Sequence, residues 1–268
     1  MSLQSPNITV MIKAARKASR KLRRDFGELE NLQVSKKGPA DFVTTADMTA
    51  EQTIHDELSR ARPGYGFLME ESGTVKGSDK SHRWIIDPLD GTTNFMHAIP
   101  HFAISIALER DGKIVAGLIY NPISDEMYTA ERGQGAYLND RRLRVSARRD
   151  LGQSLIATGL PFMGMPNHEV ELAELRDVMT KTAGVRRFGA AALDLAYVAA
   201  GRYDGYWEHA LKPWDIAAGI LMVREAGGFI TDLEGRDKMM ESGDILAANE
   251  GIHKPLQDLL QGARKKLG

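Results

Sequence analysis

Residues 84–95 read Trp84-Ile85-Ile86-Asp87-Pro88-Leu89-Asp90-Gly91-Thr92-Thr93-Asn94-Phe95. Trp84 to Ile86 is a β-prone run that reads as a buried strand, and Pro-x-Asp-Gly reads as the tight turn ending it. Two carboxylates therefore stand at the mouth of a strand, followed by an unblocked glycine amide and two hydroxyls. That set makes a metal and phosphate site if other acids converge on it. In isolation it is equally an ordinary turn leading into a helix cap.

Other acids occupy similar contexts. The short strand Gly66 to Ser72, just upstream, ends in the adjacent acids Glu70-Glu71, and packed like charges are costly unless a cation binds them. Trp214-Asp215-Ile216-Ala217-Ala218-Gly219 places Asp215 in the first turn of a small-residue helix, where a dipole-stabilising acid is also common. Asp47 follows Thr44-Thr45-Ala46 at the start of a helix running to about Ala61, stopped by Pro63-Gly64. Glu208 ends the strand Tyr203 to Glu208; a surface or capping acid is the plainer reading of it and of Asp47.

The rest of the chain frames these positions. Residues 6 to 27 form an amphipathic helix, with Met11, Ala15, Ala18, Leu22 and Phe26 on one face. The other face carries Lys13, Arg16, Lys17, Arg20, Lys21, Arg23 and Arg24; it reads as a solvated face, or as a contact surface for RNA or a partner. Gln33 to Asp41 reads as a mobile loop or hairpin, and Gly73 to Ser81 as a loop. Ala103 to Glu109, Asp111-Gly112 and Ile114 to Tyr120 make a hairpin, continued by strands at Met127 to Ala130 and Ala136 to Leu138. After the basic stretch Arg141 to Arg149 the pattern mixes: strand 154–158, helix 167–182, helix 189–200, helix 214–226, strands 229–232 and 245–248, and a helical tail. The expected fold is α/β (α+β), an αβαβα sandwich with an antiparallel N-terminal sheet and a mixed C-terminal sheet. The halves divide as 1–145 and 146–268, with the site between them.

Bulk composition narrows the chemistry. At 268 residues and 43% hydrophobic, the chain can bury an ample core. Lys+Arg 35 against Asp+Glu 36 provides no global field towards nucleic acid or an acidic membrane. The absence of cysteine excludes thiol nucleophiles, disulfides and cysteine metal sites, and fits a reducing, cytoplasmic setting. No leader-like or membrane-spanning run is expected. No nucleophile-elbow, P-loop or zincin motif occurs. An aspartyl-phosphate phosphatase is disfavoured because its acids form Asp-x-Asp, not Asp-x-x-Asp with an intervening proline.

Taken together, Asp41 to Asp47, Glu70-Glu71-Ser72, Trp84 to Phe95, Gly189 to Ala196, and Trp214 to Gly219 with Glu225 to Gly228 resemble the inositol monophosphatase family. The resemblance implies a Mg²⁺-dependent, lithium-sensitive phosphomonoesterase acting on inositol monophosphate, with two or three ions per site. It assigns Glu70, Asp87, the Leu89 carbonyl, Asp90 and Asp215 to metal, with Asp87 bridging. It gives Thr92, bonded to Asp47, a share with Glu70 in activating water. Asp90, Gly91, Thr92, Arg186, Ala191, Glu208 and Asp215 would face a small phosphorylated polyol, and Lys36 matches a mobile-loop lysine. It further implies a homodimer. Met69 and Ala190 depart from the family pattern; the second removes a polar contact and leaves substrate preference open. Alternatives are a fructose-1,6-bisphosphatase, nucleotide 3′-phosphatase or histidinol-phosphatase, or an added role with RNA or the transcription machinery.

Overall fold

The computed structural model describes residues 5–27, 34–38, 41–164 and 168–267. Helices α1 (Pro6–Gly27) and α2 (Thr45–Ala61) flank the hairpin β1 (Val34–Gly38) and β2 (Asp41–Thr44). The hairpin expectation therefore holds for the described part of 33–41; Gln33, Pro39 and Ala40 lie outside it.

An eight-stranded sheet follows. Its strands are β3 (Gly66–Met69), β4 (Gly73–Val75), β5 (His82–Asp90), β6 (Ala103–Arg110), β7 (Lys113–Asn121), β8 (Glu126–Glu131), β9 (Gly135–Leu138) and β10 (Arg141–Arg142), ordered β10-β9-β8-β7-β6-β5-β3-β4. Neighbours are antiparallel except β3 and β5. The expected all-antiparallel sheet is corrected at that one pair. Residues 73–75, read as loop, fold back as β4 on the outer side of β3, so the chain re-enters on β3's other edge in the parallel sense.

The second sheet is ordered β12-β11-β13-β15-β14, from β11 (Leu155–Thr158), β12 (Gly184–Arg186), β13 (Gly205–Glu208), β14 (Phe229–Thr231) and β15 (Ile245–Ala248). It is mixed: β11 runs parallel to β12 and β13, while β15 is antiparallel to β13 and β14. Helix α4 (His168–Met179) ends before the expected Thr182; residues 180–183 turn, and β12, which was not expected, follows. Asn167, the expected helix start, lies outside the described residues.

Period-two alternation builds the layers. On β5, Trp84 and Ile86 pack with Met11, Leu22 and Ile54 of α1 and α2. Ile85 points the other way, into a core with Leu193 and Leu195 of α5 (Ala191–Ala199) and Ile216 and Leu221 of α6 (Pro213–Glu225). On β13, Tyr206 joins that middle layer while Trp207 packs outward with Leu256 and Leu260 of α8 (Glu250–Lys265), beside α4 (His168–Met179). The sequence is helices, sheet, helices, sheet, helices, as expected for αβαβα.

The middle layer is tight. A β-carbon at Gly219 of α6 would lie 2.4 Å from Leu195 Cδ1 and 2.6 Å from its Cβ. Gly219→Ala is therefore expected to force α5 and α6 apart and cost about 1–3 kcal/mol, despite alanine's better helix propensity. Urea denaturation checks the sign; a stabilised variant would contradict this packing.

Candidate active site

Strand β5 does not stop at Ile86. It continues through Pro88 to Asp90, with its pairing to β6 slipping between Asp87 and Asp90. Proline lacks a ladder donor, so an irregularity is where a strand tolerates it. The irregularity turns the Asp87 carboxylate back on its own chain, where Oδ1 accepts from Leu89 N at 2.9 Å. Gly91, at φ 93°, then opens the single-turn helix α3 (Thr92–Met96).

Asp47 is fully buried and does two jobs. Its Oδ2 accepts the Thr44 amide (2.8 Å) and hydroxyl (2.5 Å), closing the cap of α2. Its Oδ1 faces the Thr92 hydroxyl at 3.1 Å, which also lies 3.1 Å from the Leu89 carbonyl. Burial pushes the Asp47 carboxyl up, opposed by the hydrogen bonds from Thr44 and Thr92. The capping reading and the functional one describe the same side chain.

The remaining acids press on one another. Burial raises the Asp87 carboxyl well above the usual range, reinforced by the charges of Glu70, Asp90 and Asp215; it also shares a hydrogen bond with Glu70. Asp90 is raised by burial and by Asp215, although its Oδ2 accepts from Ala192 N (2.8 Å) at the start of α5. Asp215 is pushed up to about 7 by burial, against the Lys212 amide 2.7 Å from its Oδ2. Among the described residues, no three carboxylate or imidazole groups are already closed into a coordination cage. Two carboxyls in hydrogen-bond contact nevertheless require a proton or a cation between them. An all-oxygen, multiply anionic set suits a hard divalent cation such as Mg²⁺.

Opposite these acids lies a second group from the other sheet. Glu208, at the end of β13, accepts from Tyr206 Oη at 2.5 Å. Its carboxyl lies where a β-carbon of residue 159 would fall, 2.0 Å away, so any larger residue at the end of β11 would have to displace Glu208. Burial raises Glu208, opposed by the Tyr206 hydroxyl and the Arg187 charge. Asp194 is buried with an unpartnered Oδ1; burial, Glu208 and Asp90 raise it. Ala191 begins α5, beside the amide that holds Asp90.

Arg186 is placed differently from expectation. It is exposed and donates to the Val185 carbonyl at 3.0 Å, whereas the cation acting on Glu208 and Asp194 is the next residue, Arg187. Residues 184–186 form a strand, where adjacent side chains diverge; the sequence reading assigned no element between the expected helices 167–182 and 189–200. The sequence reading also missed Glu51, whose carboxylate receives Glu71 N at 2.8 Å and Ser72 Oγ at 2.5 Å. Its one available signal was a position one helical turn after Asp47. The side chain of Lys36 is outside the described atoms. On α1, Lys13 (3.0 Å) and Lys17 (2.6 Å) converge on Glu57, with Arg60 at 2.7 Å, so part of the basic face is engaged internally. No helix among the described residues is long and apolar enough to cross a membrane.

A family profile described as the inositol monophosphatase family matches residues 3–267. The chain is 59% identical to an inositol-1-monophosphatase of Mesorhizobium japonicum, over 98% of each chain. It is 45% identical to a Nus factor SuhB of Pseudomonas aeruginosa, over 96% of each. The crystal structure of extragenic suppressor protein suhB from Bartonella henselae is similar with a TM-score of 0.94 and 62% identity, covering 96% of this chain and 98% of that one.

Proposed function

Because the chain belongs to the inositol monophosphatase family, a family of phosphatases, we propose that it is a Mg²⁺-dependent phosphomonoesterase that hydrolyses inositol monophosphate to inositol and phosphate. The observation that carries this reading is the set of mutually repelling carboxyls at Asp87, Asp90 and Asp215, joined by Glu70 and facing the Asp47–Thr92 pair. Glu70, Asp87, the Leu89 carbonyl, Asp90 and Asp215 would hold two or three Mg²⁺ ions, with Asp87 shared. Bound there, the metal supplies an acidified water and neutralises charge on phosphate and departing oxygen.

The protein's own groups do the positioning. The Thr92 hydroxyl, held between Asp47 and the Leu89 carbonyl, orients the attacking water with Glu70 as its base. Gly91 and Thr92 amides face phosphate oxygens. Glu208 and the backbone at Ala191 accept or donate to the polyol's hydroxyls, and the Tyr206 hydroxyl and then the Arg187 charge oppose the rise that burial imposes on Glu208. On this reading the site lies between the halves 1–145 and 146–268. The same reading carries lithium sensitivity, a cytoplasmic setting and a homodimer. An added role in binding RNA draws less support from α1, because three cations around it already meet Glu57.

A panel of phosphomonoesters assayed with Mg²⁺, with and without Li⁺, tests the assignment. Inositol monophosphate should be preferred and Li⁺ should inhibit. Preference for fructose-1,6-bisphosphate, a nucleotide 3′-phosphate or histidinol phosphate would replace the substrate while keeping the chemistry.

Metal binding should be coupled to protons. Asp215, raised to about 7, is partly protonated in the metal-free protein near neutrality, Asp87 and Asp90 are shifted in the same direction, and a ligand carboxyl must ionise. Apparent Mg²⁺ affinity is therefore expected to increase as pH rises through about 7, with proton release on binding. Calorimetry in buffers of different ionisation enthalpy measures that release; its absence at pH 6 would remove these carboxyls from the metal.

A further inference from the structure

We propose that Glu51 is a positioning residue of the reaction: from one face of α2 it holds the turn carrying Glu70, while Asp47, one helical turn earlier, holds Thr92. The proposal deepens the phosphatase reading and rests on it for the role of Glu70.

Glu51 is only 2% exposed, and both its oxygens are engaged by the β3–β4 turn, Oε2 by the Glu71 amide and Oε1 by the Ser72 hydroxyl. Among the described residues no Lys, Arg or His forms an ion pair with it, and both its oxygens meet donors of the turn. A carboxylate only accepts, which obliges Ser72 to donate and fixes the direction of the Glu71 N–H. On the other flank, Glu70 N bonds the Ile86 carbonyl at 3.2 Å, immediately before Asp87. The backbone of Glu70 is thus pinned towards β5 on one side and towards α2 on the other.

Asp47 and Glu51 are four residues apart, about 6 Å along a rigid helix and on the same face. Through them α2 registers the Thr92 hydroxyl against the Glu70 carboxylate, the two groups assigned to the attacking water. Burying a carboxylate is costly unless its oxygens are met, and here each oxygen meets a donor of the turn. What the carboxylate adds is bidentate fixation of the residues next to Glu70. Outer partners of this kind typically alter metal affinity or activity 10- to 100-fold when removed.

The test compares Glu51→Ala, Glu51→Gln and Ser72→Ala in the full-length protein, reading kcat, KM, direct Mg²⁺ binding by calorimetry and thermal unfolding. Glu51→Ala should lower kcat about 10- to 100-fold and weaken Mg²⁺ binding about tenfold, with KM moved less than about threefold. Glu51→Gln keeps one acceptor, for Glu71 N, and gives up the second, so its kcat should fall between those of the parent and of Glu51→Ala. If Glu51→Ala fails to fold, Ser72→Ala, which removes one bond, should show the same pattern in smaller measure. Normal Mg²⁺ binding and kcat in a folded Glu51→Ala, or in Ser72→Ala where only that variant folds, would overturn the proposal. So would losses in Glu51→Gln equal to those in Glu51→Ala. If the parent protein itself fails to release phosphate from inositol monophosphate, the phosphatase reading fails instead, which the parent control separates from failure of the Glu51 role.

Discussion

Asp87→Asn is expected to abolish Mg²⁺-dependent phosphate release while raising the melting temperature of the metal-free protein. The two effects share one cause. Asp87 is 2% exposed and lies against Glu70, Asp90 and Asp215; burial first, then those charges, raise its carboxyl well above the ordinary range. The folded state therefore binds a proton that the unfolded state would release near neutrality, and this group's contribution to stability falls as pH rises past the usual carboxylate range. Asparagine keeps the acceptor for Leu89 N and removes the charge, so the metal-free fold should gain a few degrees at pH 8 and little at pH 4. The activity loss should be about a thousandfold or more, since the metal-ligand role proposed for Asp87 asks it to support several kcal/mol of charge stabilisation. Phosphate release and calorimetric melting in EDTA at the two pH values decide it. Substantial activity, or a lower metal-free melting temperature at pH 8, would contradict the arrangement.

A second large effect is expected away from the acids, at Glu174→Ala. Glu174 is completely buried, and its carboxylate joins three elements: His209 Nε2 at 2.7 Å and Trp207 Nε1 at 3.2 Å from β13 and its end, and Arg264 Nε at 2.5 Å from α8. His209 also faces Asp244 at 3.5 Å. Removing the shared acceptor strands the buried Trp207 Nε1 and leaves His209 only Asp244 and Arg264 only Glu234, a change that costs about 1–3 kcal/mol. Burial alone would lower His209, but its bonds to Asp244 and Glu174 prevail and raise it to about 9. A raised imidazole stabilises the fold fully below its unfolded value near 6.5 and loses that contribution as pH rises towards 9. The urea midpoints of parent and variant should therefore differ most at pH 6 and less at pH 9.5, where only the Arg264 and Trp207 bonds still count. A difference below about 1 kcal/mol, or one independent of pH, would refute it.

The elements with their own periodicity were legible before any coordinates. The seam of Met11, Ala15, Ala18 and Leu22 defines α1, and Thr44 with Asp47 marks the start of α2. Strands β4 and β12 were not legible. Each has three residues, and each is held by register with a neighbour, β3 or β11, rather than by an alternating pattern of its own. Missing β4 concealed the parallel β3–β5 pair; missing β12 directed attention to Arg186 instead of Arg187. Among the acids, Asp87, Asp90, Glu70 and Asp215 stood out because each ends a strand or opens a helix. Glu51, Asp194 and Glu174 sit inside helices, where a glutamate or aspartate looks like any solvated residue until the packing shows it buried.

The acids assigned to phosphate chemistry come mostly from β5, the β3–β4 turn and α2, whereas Glu208, Tyr206, Gly159 and Ala191 hang from the second sheet and its helices. Asp215 is the chief crossing. Descendants of such a scaffold can therefore drift in which alcohol they accept through changes at β11, β13 and the start of α5, leaving hydrolysis itself intact. A small residue such as Gly159, whose replacement would displace Glu208, offers that drift a single-step route. Paralogues built on this plan should differ first in their appetite for hydroxyls and last in their dependence on metal.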